Sequence, residues 1–313
     1  MHSLLRIGTR GSQLALWQAR TVAARLESAG VDVELVIIKT SGDRLQSAPI
    51  SEIGTKRLFV KEIEDALLDD SIDAAVHSAK DMPAALPDGL TIAATLPRED
   101  PRDAFVLPLT HQGDIATALA GLGRTANIGT GSVRRIAQLS AVFPNAAFTP
   151  IRGNVDTRLR KLDAGEYDAL VLAAAGLRRL GFGDRITAMI PLNQCVPAPG
   201  QGVVAVEIRE DDEKCRSALR AVHDTAASAA LAAERRVVAA LGGGCQLPLG
   251  ALATITGTAM ELRAIVCSPD GRRVVRAQAA GPAAEPEALG DRVAEELSRE
   301  GAVEILDEVR RQG

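Results

Sequence analysis

The stretch LGGGCQLPLG, residues 241–250, sets Cys245 directly behind Gly242, Gly243 and Gly244. Glycines free the backbone in turns and let a bulky group come close, so this thiol is presented to something rather than packed away. Cys195, Cys215 and Cys267 have no such setting and read as small buried hydrophobes. The chain has no Cys-x-x-Cys pair and no His-x-x-x-His, which argues against a zinc site.

The second chemical signal is arginine beside strand ends. "IGT" occurs at Ile7–Thr9 and again at Ile128–Thr130, each time leading through a glycine and a serine into a helical pattern. Unpaired N–H groups and the dipole at such a helix start favour an anion. Arg10 and Ser12 flank the first turn; Thr130, Ser132, Arg134 and Arg135 form the second. IRGNVDTRLRKL adds Arg152 at a strand end and Arg158 one turn inside the next helix, and AAAGLRRLG adds Arg178 and Arg179. Ligands of open α/β sheets bind beyond the carboxyl ends of the strands. These arginines therefore point to a local pocket for several carboxylates or phosphates, which the planar guanidinium fork can hold by two bonds. HSAKDMP places Lys80 and Asp81 at another strand end. An acid beside an anion pocket is electrostatically wasteful unless it faces a cation.

The elements that position these residues alternate. LLRIGT reads as a strand, SQLALWQARTVAARLES as a helix with Leu14, Trp17, Val22 and Leu26 on one side, and Gly30 as its end. VDVELVIIKT (strand), LFVKEIEDALLDD (helix) and IDAAVHSAKD (strand) follow, a pattern that implies a mostly parallel sheet. A second unit repeats the first: besides the two IGT turns, Asp73-Ala74 and Val76 align with Asp168-Ala169 and Val171. The tail changes character near Ile208. An alanine-rich helix, AASAALAAERRVVAAL, ends at the glycines; GALATITG, AMELRAIVC and RRVVRAQAA are strand-like, with Asp270-Gly271 as a hairpin turn, and a final helix contains RVAEELSRE.

Composition narrows the class. The chain has 313 residues, 46% of them hydrophobic, enough for two or three domains with sizeable cores. A net charge of −4 and 2% aromatics argue against a nucleic-acid partner. The opening MHSLLRIGTRGS lacks a secretory apolar run, and DALVLAAAGL reaches Arg178 too soon to span a membrane. A soluble cytoplasmic protein, where disulfides are disfavoured, is expected.

Taken in order, RIGTRGSQLALWQA, LFVKEIEDALL, DAAVHSAKDMP, IGTGSVRR, RGNVDTRLRKL, AAAGLRRLG, PAPGQG and GGGCQLPLGA resemble the porphobilinogen deaminase (hydroxymethylbilane synthase) family through nearly the whole chain. The resemblance implies an α/β fold: two similar doubly wound domains like the lobes of periplasmic binding proteins, plus a smaller C-terminal α+β domain. The expected boundaries are 1–102, completed by 197–218, then 103–196 and 222–313. It further implies a dipyrromethane cofactor bound by a thioether to Cys245, a tether rather than a turnover nucleophile. Four porphobilinogens would be joined head to tail with loss of ammonia, and water would release hydroxymethylbilane. Asp81 matches the family's carboxylate for the cationic azafulvene that ammonia loss leaves. Arg10, Lys80, Arg152 and Arg158 match its other catalytic positions. Ser12, Lys80, Asp81, Thr130, Ser132, Arg134, Arg135 and Arg179 match its cofactor-binding ones. A monomer is implied. Departures fall in the lid, where Glu52, Thr55 and Arg57 replace a lysine and two glycines while Lys56 and Phe59 remain, and at Gly131, where serine is common.

A competing reading is a non-catalytic, two-lobed protein that binds a small polycarboxylate or other anion. It accounts for the duplication and the arginines but not for Cys245 or Asp81.

Overall fold

Residues 4–40, 60–111, 115–243 and 247–312 are described by the computed structural model. Cys245 and the lid positions Glu52, Thr55, Lys56, Arg57 and Phe59 lie outside the described residues. The chain divides into two units, Met1–Glu99 with Val203–Ala229, and Asp100–Gly202 with Ala230–Gly313.

The first unit is built on β1 (Leu5–Thr9), β2 (Val33–Ile37), β3 (Ala74–Ser78), β4 (Leu90–Thr95) and β10 (Val204–Arg209), in the order β2-β1-β3-β10-β4. The second contains β5 (Asp103–Val106), β6 (Asn127–Gly129), β7 (Ala147–Thr149), β8 (Ala169–Ala173) and β9 (Ala188–Met189), in the order β7-β6-β8-β5-β9. The two orders are the same plan. A third sheet, β11 (Leu249–Thr256), β12 (Ala259–Cys267) and β13 (Val274–Pro282), is an antiparallel meander backed by helices at Pro286–Arg299 and Ala302–Gln312. The α/β class with a smaller C-terminal α+β part is as expected.

The duplication holds atom by atom. Ile7 faces Ala74 and Gly8 faces Ala75 across β1 and β3; Ile128 faces Ala169 and Gly129 faces Leu170 across β6 and β8. Asp73 accepts the Arg6 N–H at 2.8 Å, and Asp168 accepts the Asn127 N–H at 2.7 Å. A Cβ on Gly129 would stand 2.5 Å from Leu170 Cδ2, and one on Gly8 would collide with Ile72. Each strand needs its glycine because side chains in or next to the neighbouring strands pack over it.

Four expectations are corrected. The sheets are mixed: β1–β2, β1–β3, β6–β7 and β6–β8 are parallel, but β10 runs antiparallel to β3 and β4, as β5 does to β8 and β9. Strand β10 returns from a long excursion through the second unit, so no βαβ crossover fixes its direction. On the Gln13–Ser28 helix Val22 and Leu26 are buried, but Leu14 and Trp17 are only partly so, and polar Gln18 takes a core position. Asp270-Gly271 turns within the longer loop between Cys267 and Val274 rather than in a two-residue hairpin. The helix containing RVAEELSRE is not the last, because Gly301 (φ +90°) breaks the chain into a further helix.

Candidate active site

In the first unit Thr9 closes β1, fully buried, its hydroxyl donating to the Ala15 carbonyl at 3.2 Å. Ser12 then caps the Gln13–Ser28 helix, accepting the Ala15 N–H at 3.3 Å. Its oxygen thus satisfies one of the orphan donors that a helix start exposes. Half-buried Arg10 lies between Thr9 and this cap. Lys80 and Asp81, also half-buried, sit not in β3 but in the 3₁₀ turn Ala79–Asp81 directly after it. Parallel pairing of β1 with β3 brings Arg10, Ser12, Lys80 and Asp81 to one carboxyl edge. Gln18 fastens helix to strand there, donating to Ser78 Oγ at 2.7 Å.

The second unit repeats the turn and changes its chemistry. Thr130 is fully buried, and Ser132 caps the Val133–Val142 helix. After β8, however, the chain enters the helix Ala174–Arg179, with Ala175 and Gly176 in place of a charged pair. Arginines occupy this edge instead. Arg134 and Arg135 follow β6, Arg152 and Arg158 follow β7, and Arg179 follows β8. Arg158 Nε donates to the Gly153 carbonyl at 2.8 Å, and Arg179 Nη2 to the Gly202 carbonyl at 2.6 Å. Arg152 is half-buried just beyond β7.

Arg134 and Arg135 do not line an open surface. They are 3% and 6% exposed and converge on the fully buried Asp103 at the head of β5. Arg135 approaches Asp103 Oδ1 through Nε at 2.9 Å and Nη2 at 2.8 Å, and gives Nη1 to the Val171 carbonyl. Arg134 uses Nη1 for everything: Asp103 Oδ2 at 2.8 Å, the Val196 carbonyl at 2.8 Å and Cys195 Sγ at 3.2 Å. Gln201 Nε2 adds a bond to Asp103 Oδ1 at 2.9 Å. Burial alone would raise the Asp103 carboxyl, but the two guanidinium charges and the bonds from Arg134 and Gln201 outweigh it and hold it well below 3.8. Burial pushes the Cys195 thiol up to about 12, despite the nearby Arg134. Cys195 is therefore an inert thiol.

Two guanidinium groups against one carboxylate leave one positive charge in a dry place, and Arg134 Nε has no hydrogen-bond partner among the described residues. A buried charge is tolerated when paired. The arrangement suits one further anion.

Sequence reasoning missed Asp103, Gln18, Gln138 and Gln201. Asp103 had a signal, an acid opening the apolar run DAFVL; Gln138 had another, its place one turn after Arg134.

Comparison with known proteins gives the same family over the whole length. The model described as porphobilinogen deaminase, dipyromethane cofactor binding domain, matches residues 5–217, and that of the porphobilinogen deaminase C-terminal domain matches residues 229–299. The porphobilinogen deaminase of Acidithiobacillus ferrooxidans (strain ATCC 53993 / BNL-5-31) is 49% identical over 311 residues, 99% of each chain. That of Moorella thermoacetica is 46% identical over 310 residues, 98% of this chain and 97% of its own. Among solved structures, the periplasmic VFT2 domain of Bordetella pertussis BvgS is 17% identical, covering 71% of this chain and 87% of that one with a TM-score of 0.42. The chain belongs to the porphobilinogen deaminase family.

Proposed function

We propose that this chain joins four porphobilinogen molecules head to tail with loss of four ammonia and releases hydroxymethylbilane by hydrolysis. We further propose that Asp81 is the group that makes the deamination possible. The observation that carries the assignment is the asymmetry between the repeats: the same strand end bears Lys80-Asp81 in one unit and Ala175-Gly176 in the other. The topology does not require the charged pair, so it is there for chemistry.

The residues present fit a dipyrromethane, an acidic pyrrole pair. The buried trio of Arg134, Arg135 and Asp103 has one positive charge in excess, and the guanidinium is the donor best matched to a carboxylate. Arg134, Arg135, Arg179, Thr130, Ser132, Ser12 and Lys80 would hold the group, with Cys245 as its thioether tether. When bound, it supplies the nucleophilic pyrrole carbon from which the product grows. The protein's part is binding and charge. Arg10, Arg152 and Arg158 receive the acetate and propionate groups of porphobilinogen and orient it. The Asp81 carboxylate faces the substrate's pyrrole N–H, stabilises the positive charge that develops as ammonia leaves, and accepts the proton given up afterwards.

The non-catalytic binding-protein reading is not supported, since the matched families and relatives are deaminases. We also read the chain as three domains, 1–102 completed by 197–218, 103–196 and 222–313, which accords with its three separate sheets. The reading includes a cytoplasmic monomer. Among the described residues no helix is long and apolar enough to cross a membrane.

Single-turnover deamination tests the Asp81 role. Asp81→Asn keeps size and loses charge. Losing one electrostatic stabiliser costs on the order of 10²–10³ in rate. Asp81→Glu keeps the charge one methylene away and falls between wild type and Asn. A folded Asp81→Asn protein that deaminates at the wild-type rate would remove the assignment.

A further inference from the structure

Arg134 is held by a single nitrogen. Its Nη1 meets Asp103 Oδ2, the Val196 carbonyl and Cys195 Sγ, so the aim of the remaining guanidinium edge depends on where those acceptors stand. Two of the three belong to one short segment, Cys195-Val196. That segment has no regular secondary structure of its own; other elements must hold it.

Gln138 holds it from one side. It is 4% exposed and lies one turn beyond Arg134 on the same helix face. Its Oε1 accepts the Val196 N–H at 2.7 Å and its Nε2 donates to the Val196 carbonyl at 3.0 Å, so one carboxamide clips both polar groups of the residue. Strand β11 holds the segment from the other side. Ala251 N–H donates to the Pro197 carbonyl at 3.0 Å, and a Cβ on Gly250 would stand 2.7 Å from the Val196 carbonyl oxygen. Ala137, Val196, Leu252, Ile265 and Cys267 close the seam with one apolar cluster. The strand resting here begins at Leu249, four residues after Cys245 in the sequence.

We propose that Gln138 is a positioning residue for Arg134: by clipping Val196 against β11, it aims the guanidinium at the anion tethered through Cys245. The proposal rests on the reading of Arg134 as a ligand of the cofactor. A residue that merely supports the fold stabilises the chain equally with and without the cofactor. A residue that aims Arg134 contributes more when the cofactor is bound, and the difference appears as linkage.

The test is the melting temperature of the full chain without cofactor and after reconstitution with porphobilinogen, with cofactor content read by intact mass. Wild type, Gln138→Met, Gln138→Glu and the packing control Ile305→Val, a buried position of the C-terminal helix outside this seam, are compared. Met has similar length and neither bond; Glu keeps an acceptor for the Val196 N–H. Ile305→Val should lower both melting temperatures together and leave the cofactor-induced rise intact. Gln138→Met should lose most of that rise, and Gln138→Glu should retain more of it than Met does. If Gln138→Met does not fold, a reduced rise in Gln138→Glu carries the same conclusion. A full wild-type rise in a cofactor-loaded Gln138 variant overturns the positioning role. Absence of any rise in wild type itself would instead overturn the underlying ligand reading, and the inference with it.

Discussion

Asp103 shows how one side chain can organise a site without belonging to its surface. It is fully buried and takes up contacts from Arg134, Arg135 and Gln201. Its carboxyl is held below the ordinary value of 3.8. A group depressed in the folded state contributes stability that is complete above the unfolded-state pKa and is lost as pH falls toward the folded-state one. Asp103→Asn should therefore cost about 3–5 kcal/mol near neutral pH, the usual effect of breaking a buried pair from one side. The gap to wild type should narrow below about pH 4, because the unfolded-state carboxyl takes up a proton there while the native one stays ionised to lower pH. Denaturant unfolding at neutral and acid pH checks this; an equal gap at both would contradict it. Little of this was legible in the sequence. Arg134 and Arg135 were visible as anion ligands, but their acid lies some thirty positions upstream, and a periodicity argument pairs only residues three or four apart on one helix. The serines were legible as turn residues, and their capping bonds explain why the same residue type recurs at both turns.

At the scale of elements, the repeats were readable because packing imposed the same residues twice. The paired glycines and the Asp73 and Asp168 anchors occupy equivalent register positions. The antiparallel direction of β10 and β5 was not readable, because strand alternation carries no information about direction; the return of residues 197–218 to the first domain was expected from the family resemblance alone. The close approaches predict an order of damage. At Gly8 the obstacle is the end of the Ile72 side chain, so Gly8→Ala should cost about 1–3 kcal/mol, the usual range for overpacking. At Gly250 the obstacle is backbone, the Val196 carbonyl oxygen 2.7 Å from the new Cβ, which cannot rotate away. Gly250→Ala should be the more destabilising of the two in chemical denaturation. Equal midpoints, or a reversed order, would show that β11 and the Val196 segment separate at little cost.

For the molecule as a whole, the cationic positions are distributed along the carboxyl edges of two duplicated sheets. A growing product brings new carboxylates at each addition, and different arginines should meet them. Arg152→Leu and Arg158→Leu should therefore stall elongation at particular lengths, visible by mass spectrometry as accumulated one-, two- or three-substrate adducts. A uniform loss of cofactor in both would assign these arginines to cofactor assembly instead. The central claim is the covalent primer on Cys245, the residue that the three glycines single out in the sequence. Intact mass of the purified full-length chain tests it most directly. The account predicts that wild type carries the mass of two pyrrole units, localised by peptide mapping to Cys245, and that Cys245→Ser carries none and is inactive. An unmodified wild-type chain that turns over porphobilinogen, or an active Cys245→Ser protein without the added mass, would contradict it.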